Sequence, residues 1–251
     1  MKLDPNETIE KLNAIYAKIP DTEGCMKHIG LSKEDGGCGG WCCKYQSPQA
    51  LYSEFLNSWR TVLRTWTEEK IVTLVERSIR NYLSAFTAKR CIFWEEETML
   101  CGQHETRPYS CRIYGITPEQ EFKPRYERLK ILYQTDPTAI IRDQCNLIKP
   151  VGETPVTIHE TMNWWVELVK VEMLTGVEKD DIHDGAGGSY RTFHDHILLH
   201  LFNDTMMRQL ETLRMEGTTV EREIAIQGIV GGFRSKLRKL MEKADGDGKA
   251  D

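Results

Sequence analysis

No stretch of this 251-residue chain is long and apolar enough to cross a bilayer. The opening segment MKLDPNETIEKLNAIYAKIP carries acids early and has no uninterrupted apolar core, which excludes a secretory signal. Basic residues never gather into a run; 33 Lys and Arg are dispersed among 38 Asp and Glu, for a net charge of −5. That balance removes the electrostatic footprint of a nucleic-acid binder. The expectation is a cytoplasmic globular protein with neither membrane nor nucleic acid as a partner. There is also no internal repeat, no phosphate-binding loop, no dinucleotide fingerprint and no C-x2-C pair. After Cys145 there is no further cysteine at all.

All eight cysteines lie before that point: Cys25, Cys38, Cys42, Cys43, Cys91, Cys101, Cys111 and Cys145. In a reducing compartment such a density points to metal ligation more than to disulfides. These cysteines occupy glycine-rich or turn-like sequence beside charges, not the apolar stripes of helices. In GGCGGWCC, Gly36 to Cys43, glycines leave the backbone open and permit positive φ. Cys38 and Cys42, four apart, share a face if this loop runs into a helix, whereas Cys43 points elsewhere. The segment from Cys91 to Cys101 reads as two short strands about an acidic turn, a hairpin whose closure brings two sulfurs side by side. In Arg107-Pro108-Tyr109-Ser110-Cys111-Arg112, Pro108 suits the start of a helix, so Cys111 projects from a rigid turn. Arg107 and Arg112 flank it as candidate cofactor-binding cations, since guanidinium groups lower thiol pKa values and offset the charge of an anionic centre.

The remaining sequence is mostly helical in pattern. Apolar residues recur at helical spacing from Leu51 to Trp66 and from Ile71 to Phe86, the second run opening on a Thr67 cap with Glu68 and Glu69 in its first turn. Further helices are expected from Ile158 to Leu174, from Tyr190 to Leu213 and from Val220 to Met241. Five prolines punctuate a less regular middle, from about Gly115 to Pro155. The predicted fold is mainly α. A cysteine-rich metal-binding lobe with a short β-hairpin spans 1–150, a helical lobe 151–243 and a flexible tail 244–251.

The cysteine segments resemble the YkgJ-type family, described as zinc- or iron-chelating and known for a C-x2-C-x3-C-C signature. The resemblance rests on Cys38-Gly39-Gly40-Trp41-Cys42-Cys43, then Cys91 and Cys101, then the Arg-Pro-x2-Cys-Arg element ending at Arg112, with His104 at an aromatic position. It spans about Cys25 to Gly115. The first cysteine of the signature falls on Asp35, so either Cys25 returns to the vacated position or Asp35 supplies an oxygen; a thiolate preserves the softness of the site. All eight cysteines are candidate metal ligands, with Cys25 and Cys145 the outlying pair.

Four thiolates in a tetrahedral array suit zinc and equally suit an iron–sulfur cubane. The absence of C-x2-C knuckles weakens a zinc ribbon, and the related flagellin lysine methylases are associated with an iron–sulfur centre. The resemblance therefore implies an iron–sulfur protein, with two [4Fe-4S] clusters or one enlarged cluster, serving electron transfer or activation of a bound substrate. Its partners would be a redox protein or a protein substrate. The alternatives are a zinc-stabilised interaction module and a group-transfer enzyme similar to the flagellin lysine N-methylases. Three other features admit a functional reading beside a structural one. The loop His183 to Ser189 is a small-molecule loop or a plain connection. His196 and His200, four apart, share a site or are simply hydrogen-bonded. Trp164 and Trp165 pack, or wall a substrate.

Overall fold

The computed structural model describes residues 5–20, 22–23, 43, 47–84, 90–98, 100–114, 116, 149–150, 156–183 and 188–246. Within them the chain is mainly helical, as its periodicity predicts. Helix α1 runs Pro5–Tyr16, α2 Tyr52–Thr65, α3 Glu68–Leu83, α4 Tyr109–Arg112, α5 Ile158–Leu174, α6 Phe193–Leu201, α7 Asp204–Glu216 and α8 Thr219–Gly246. A 3-10 turn occupies Lys179–Asp181.

The helix starts follow from their caps. Thr67 accepts from the Lys70 amide, and Thr157 and Glu160 close a reciprocal box at the start of α5. Thr218 and Glu221 do the same for α8. α2 has no such residue at its head, because Leu51 stands there. Its first amides are instead taken by two carboxylates: Glu54 accepts from Leu51 N–H, and Glu172, reaching across from α5, accepts from Tyr52 and Ser53 N–H at 2.9 and 2.8 Å.

The stretch expected as one helix from Tyr190 to Leu213 is a strand followed by two helices. Arg191–Thr192 pairs antiparallel with Gln49–Ala50, Thr192 caps α6, and Asn203 caps α7 after a break at Phe202. Asn203 competes for the backbone as cap residues do, and its Oδ1 accepts from Met206 N–H at 3.0 Å. The first helix, α1, carries none of the cysteine chemistry but buries Leu12, Ile15 and Tyr16 against α5 and α2.

Two apolar clusters form the interior. One is built by α2, α3, α6 and α8 around Phe55, Ile71, Val75, Phe193 and Leu198 and includes the Cys91–Trp94 segment. The other joins α1 and α5 to Leu51, Tyr109 and Ile116. Each cluster draws on residues from both sides of position 150. α8 continues to Gly246, with Ala244 buried and its carbonyl accepting from Arg64 Nε. Most of the irregular middle, residues 184–187 and residues 247–251 lie outside the described residues.

Candidate metal centre

The hairpin forms, but its register corrects the expected pairing of sulfurs. Trp94 lies opposite Cys101 and Glu95 opposite Leu100, so Cys91 is not the cross-strand neighbour of Cys101. Cys91 precedes the strand in a tight turn, its carbonyl accepting from Trp94 N–H at 3.1 Å, while its own N–H donates to the Cys43 carbonyl at 2.9 Å. The acidic turn needs room, and the alternation of the sequence does not reveal where the extra residues go.

That hairpin is tied to α3. Arg77 donates to the carbonyls of Ile92 and Trp94, Asn81 to that of Arg90, and Lys70 pairs with Glu95 at 2.5 Å. Phe93 and Phe193 meet edge to face at 4.9 Å. A Cβ on Gly102, directly after Cys101, would come within 2.9 Å of Glu95 Oε1 and 3.0 Å of the Trp66 ring. A side chain there would push the Glu95 carboxylate from its place and crowd the Trp66 ring. Cys91 stands at a turn, as its sequence setting suggests, yet is 5% exposed and belongs to the apolar cluster; Cys43 and Cys101 are half-buried against the same cluster.

Cys111 stands on a second support. Pro108 precedes the short helix α4, and its carbonyl accepts from both Cys111 and Arg112 N–H. Tyr109 N–H donates to Glu54 at 2.6 Å, Ser110 Oγ to the Gln49 carbonyl at 2.7 Å, and the Tyr109 hydroxyl to the Thr161 carbonyl. Glu54 also accepts from the Tyr16 hydroxyl at 2.5 Å. Burial pushes the Glu54 carboxyl up, against the pull of these donors. The Tyr16 hydroxyl is pushed well up too, first by burial and then by the Glu54 charge, with a smaller contribution from Cys111.

The two flanking arginines have structural partners. Arg112 lies 4.0 Å above the Tyr16 ring and donates to the carbonyls of Arg107 and Glu105 at 3.0 and 2.5 Å. Arg107 Nη1 sits 2.8 and 2.6 Å from the two ring nitrogens of His104. Burial, and then both guanidinium charges, hold His104 down to about 4. The imidazole is therefore neutral near pH 7. Burial also holds the Arg112 guanidinium below its usual value.

The structure separates the described cysteines into Cys43, Cys91 and Cys101 beside one cluster and Cys111 beside the Tyr16–Arg112 pair of the other. Cys25, Cys38, Cys42 and Cys145, with Asp35, lie outside the described residues. Among the described residues no three His, Cys, Asp or Glu side chains gather around a common metal position.

Of the histidine pair only His196 is buried in the core, and His200 is exposed. His196 Nε2 donates to the Ala50 carbonyl at 2.8 Å and its ring stacks on Phe55 at 5.2 Å, and burial holds its pKa down to about 4. His200 Nδ1 is 3.1 Å from the Tyr52 hydroxyl. His194, fully buried, has Ser47 Oγ and Thr192 Oγ1 each 3.1 Å from a ring nitrogen, which fastens the chain leaving Cys43 to the head of α6. Trp164 is buried in the second cluster, and Trp165 packs between Tyr109 and Tyr190. The helix expected to open at Tyr190 opens at Phe193, with Thr192 as its cap. A cavity of about 310 Å³ lies among Tyr82, Arg191, Asp195, Leu199, Met207 and Glu211.

Sequence reasoning missed Glu54 and Glu172. Their only signal is position: Glu54 sits inside the apolar face of α2, where an acid has no place unless donors surround it.

No curated protein and no solved structure matches this chain. A family model does match, from residue 34 to residue 145, taking in seven of the eight cysteines and leaving Cys25 outside. It begins later and reaches further than the span over which the cysteine motifs carry the resemblance. The match identifies residues 34–145 as a segment of the family described as "CxxCxxCC: Putative zinc- or iron-chelating domain", the cysteine-cluster family that the motifs resemble.

Proposed function

We propose that this chain is an iron–sulfur protein whose thiolate-held cluster transfers electrons or activates a bound substrate. The observation that supports it most is the bond from Cys91 N–H to the Cys43 carbonyl, which joins the glycine-rich cysteine segment to the hairpin. Through it, cysteines far apart in sequence come to rest on one apolar cluster. Their donor chemistry fits: thiolates are soft ligands for zinc or for iron–sulfur centres. The absence of any C-x2-C knuckle, and the resemblance to a family that includes the iron–sulfur-associated flagellin lysine methylases, favour iron–sulfur. Cys43, Cys91, Cys101 and Cys111, with Cys38, Cys42, Cys145 and Cys25, would hold it. When bound, such a cluster supplies one-electron exchange or an iron open to substrate.

The chain's own residues provide the setting. Phe93, Trp94 and Phe193 keep water from Cys91, and Arg107 and Arg112 bring positive charge to the Cys111 turn. A redox protein or a protein substrate would dock over this region. The reading is tested by anaerobic purification with iron, sulfide and zinc analysis. A brown protein with matching iron and sulfide is the expected result. A colourless protein with stoichiometric zinc overturns it in favour of a zinc-stabilised interaction module, and specific binding of a methyl donor by the brown protein selects the group-transfer form.

A further inference from the structure

The cavity of about 310 Å³ between α6 and α7 has the size of a small-ligand pocket, and no described cysteine lines it. Part of its lining is apolar. Leu199, one helical turn after Asp195 on α6, is 44% exposed, and Met207 at the start of α7 is half-buried. With the ring of Tyr82 from α3 they give the cavity an apolar wall.

The charges decide what rests on that wall. Two acids line the cavity, and each is engaged by the chain itself. Glu211 accepts from the Tyr82 hydroxyl at 2.7 Å and pairs with Arg214 at 3.5 Å. Burial, and then the Glu211 carboxylate, push the Tyr82 hydroxyl up to about 12, so at neutral pH it remains a donor to that carboxylate. Asp195 Oδ2 accepts from Thr192 Oγ1 at 2.5 Å, its Oδ1 lies 3.7 Å from His194 Nε2, and its place in the first turn of α6 favours its charge. The two arginines are not so engaged. Arg191 donates through Nε to the Gly188 carbonyl, and its two terminal nitrogens have no hydrogen-bond or ion-pair partner among the described residues. Arg208, exposed at the rim, makes no ion pair and no side-chain hydrogen bond among them. The charge left without a counterpart is therefore positive, on groups whose planar fork suits a carboxylate.

We propose that this cavity binds a small organic acid, its carboxylate taken by Arg191 and Arg208 and its apolar body lying against Leu199, Met207 and the Tyr82 ring. A single negative charge is what the lining accepts: a dianion such as phosphate meets the carboxylates of Asp195 and Glu211 in the same cavity and leaves the apolar wall uncovered. The site is independent of the metal centre, so it stands whichever metal the cysteines hold.

Isothermal titration calorimetry on the full chain as purified tests this with phenylbutyrate, which joins one carboxylate to an apolar body. Binding with a dissociation constant of roughly 1 mM or below is expected. Phenylbutylamine and phenylbutanol, the same body with a positive or neutral head, should bind about tenfold more weakly or worse, and so should inorganic phosphate. Arg208→Gln removes an exposed cation that has no partner in the described chain, so it should leave the circular dichroism spectrum unchanged and weaken phenylbutyrate about tenfold. Leu199→Glu sets a carboxylate against the apolar wall and should abolish binding. Absence of phenylbutyrate binding at roughly 10 mM overturns the proposal. Equal binding of the amine or the alcohol overturns the role of the arginines, and phosphate binding as tightly as phenylbutyrate overturns the role of the apolar wall. Binding that survives both Arg208→Gln and Leu199→Glu puts the acid elsewhere on the protein and overturns the site.

Discussion

Glu54, in the first turn of α2, accepts the backbone N–H of Tyr109 at 2.6 Å, so a core helix holds the turn that carries Cys111. The same carboxylate takes the Leu51 amide and the Tyr16 hydroxyl. Removing it leaves several buried donors unsatisfied at once. Glu54→Ala should cost roughly 3–5 kcal/mol, each orphaned donor contributing on the order of 1–3 kcal/mol without full additivity. Urea unfolding measures this, and trypsin cleavage after Arg112 should accelerate in the same variant. An unchanged urea midpoint would show that the turn is held by Ser110 and Pro108 alone.

His196 gives stability a pH dependence with a definite sign. Its usual value of 6.5 falls to about 4 in the fold, chiefly by burial. Below 6.5 the unfolded chain binds a proton that the native chain refuses, so stability is lost as pH falls from 6.5 toward 4. The full effect is about 3 kcal/mol. Glu54, whose carboxyl is raised, works in the opposite sense, being favoured at low pH. His196→Gln keeps an N–H near the Nε2 position for the Ala50 carbonyl and should flatten the slope across this window. Equal slopes for variant and parent would assign the acid sensitivity elsewhere.

The helices were legible because burial imposes a period, and the caps at Thr67, Thr157 and Thr218 sharpen it. Ile158–Leu174 coincides with its expected span. α1 is less legible although Leu12, Ile15 and Tyr16 carry helical spacing, because its first turn holds Pro5 and polar residues and its apolar stripe is short. The break at Asn203 was missed because the apolar pattern runs through it; one amide side chain decided against the period. The hairpin was legible from its acidic turn, but its register was not, since two cysteines at symmetric positions suggest pairing while the tight turn at Cys91 shifts one strand. The carboxylate network around Glu54 depends on partners up to 118 residues away from it, such as Glu172, and no local pattern encodes that.

Arg112 discriminates between charge and shape at the cysteine turn. Its guanidinium spans two carbonyls and stacks on Tyr16, a geometry that a compact ammonium cannot reproduce. Arg112→Lys should therefore lose metal to a chelator almost as fast as Arg112→Gln, with both variants destabilised by about 1–3 kcal/mol. If lysine restores metal retention fully, the charge alone is what the site requires.

The separation of Cys111 from the Cys43, Cys91 and Cys101 group leads to the last prediction, which concerns number. Eight cysteines are twice the complement of one four-thiolate centre. Cys91 N–H is bonded to the Cys43 carbonyl on one apolar cluster, whereas Cys111 stands on the turn beside Tyr16 of the other. With two centres, Cys43→Ser and Cys91→Ser should remove the same fraction of bound metal, about half. Cys111→Ser should remove the complementary half, and combining it with Cys91→Ser should empty the protein. With one enlarged cluster, any of the three variants alone strips nearly all the metal, and the double variant adds nothing. Metal counts per chain distinguish the two arrangements, and full occupancy in Cys91→Ser would show that this buried thiol is a core residue and no ligand at all.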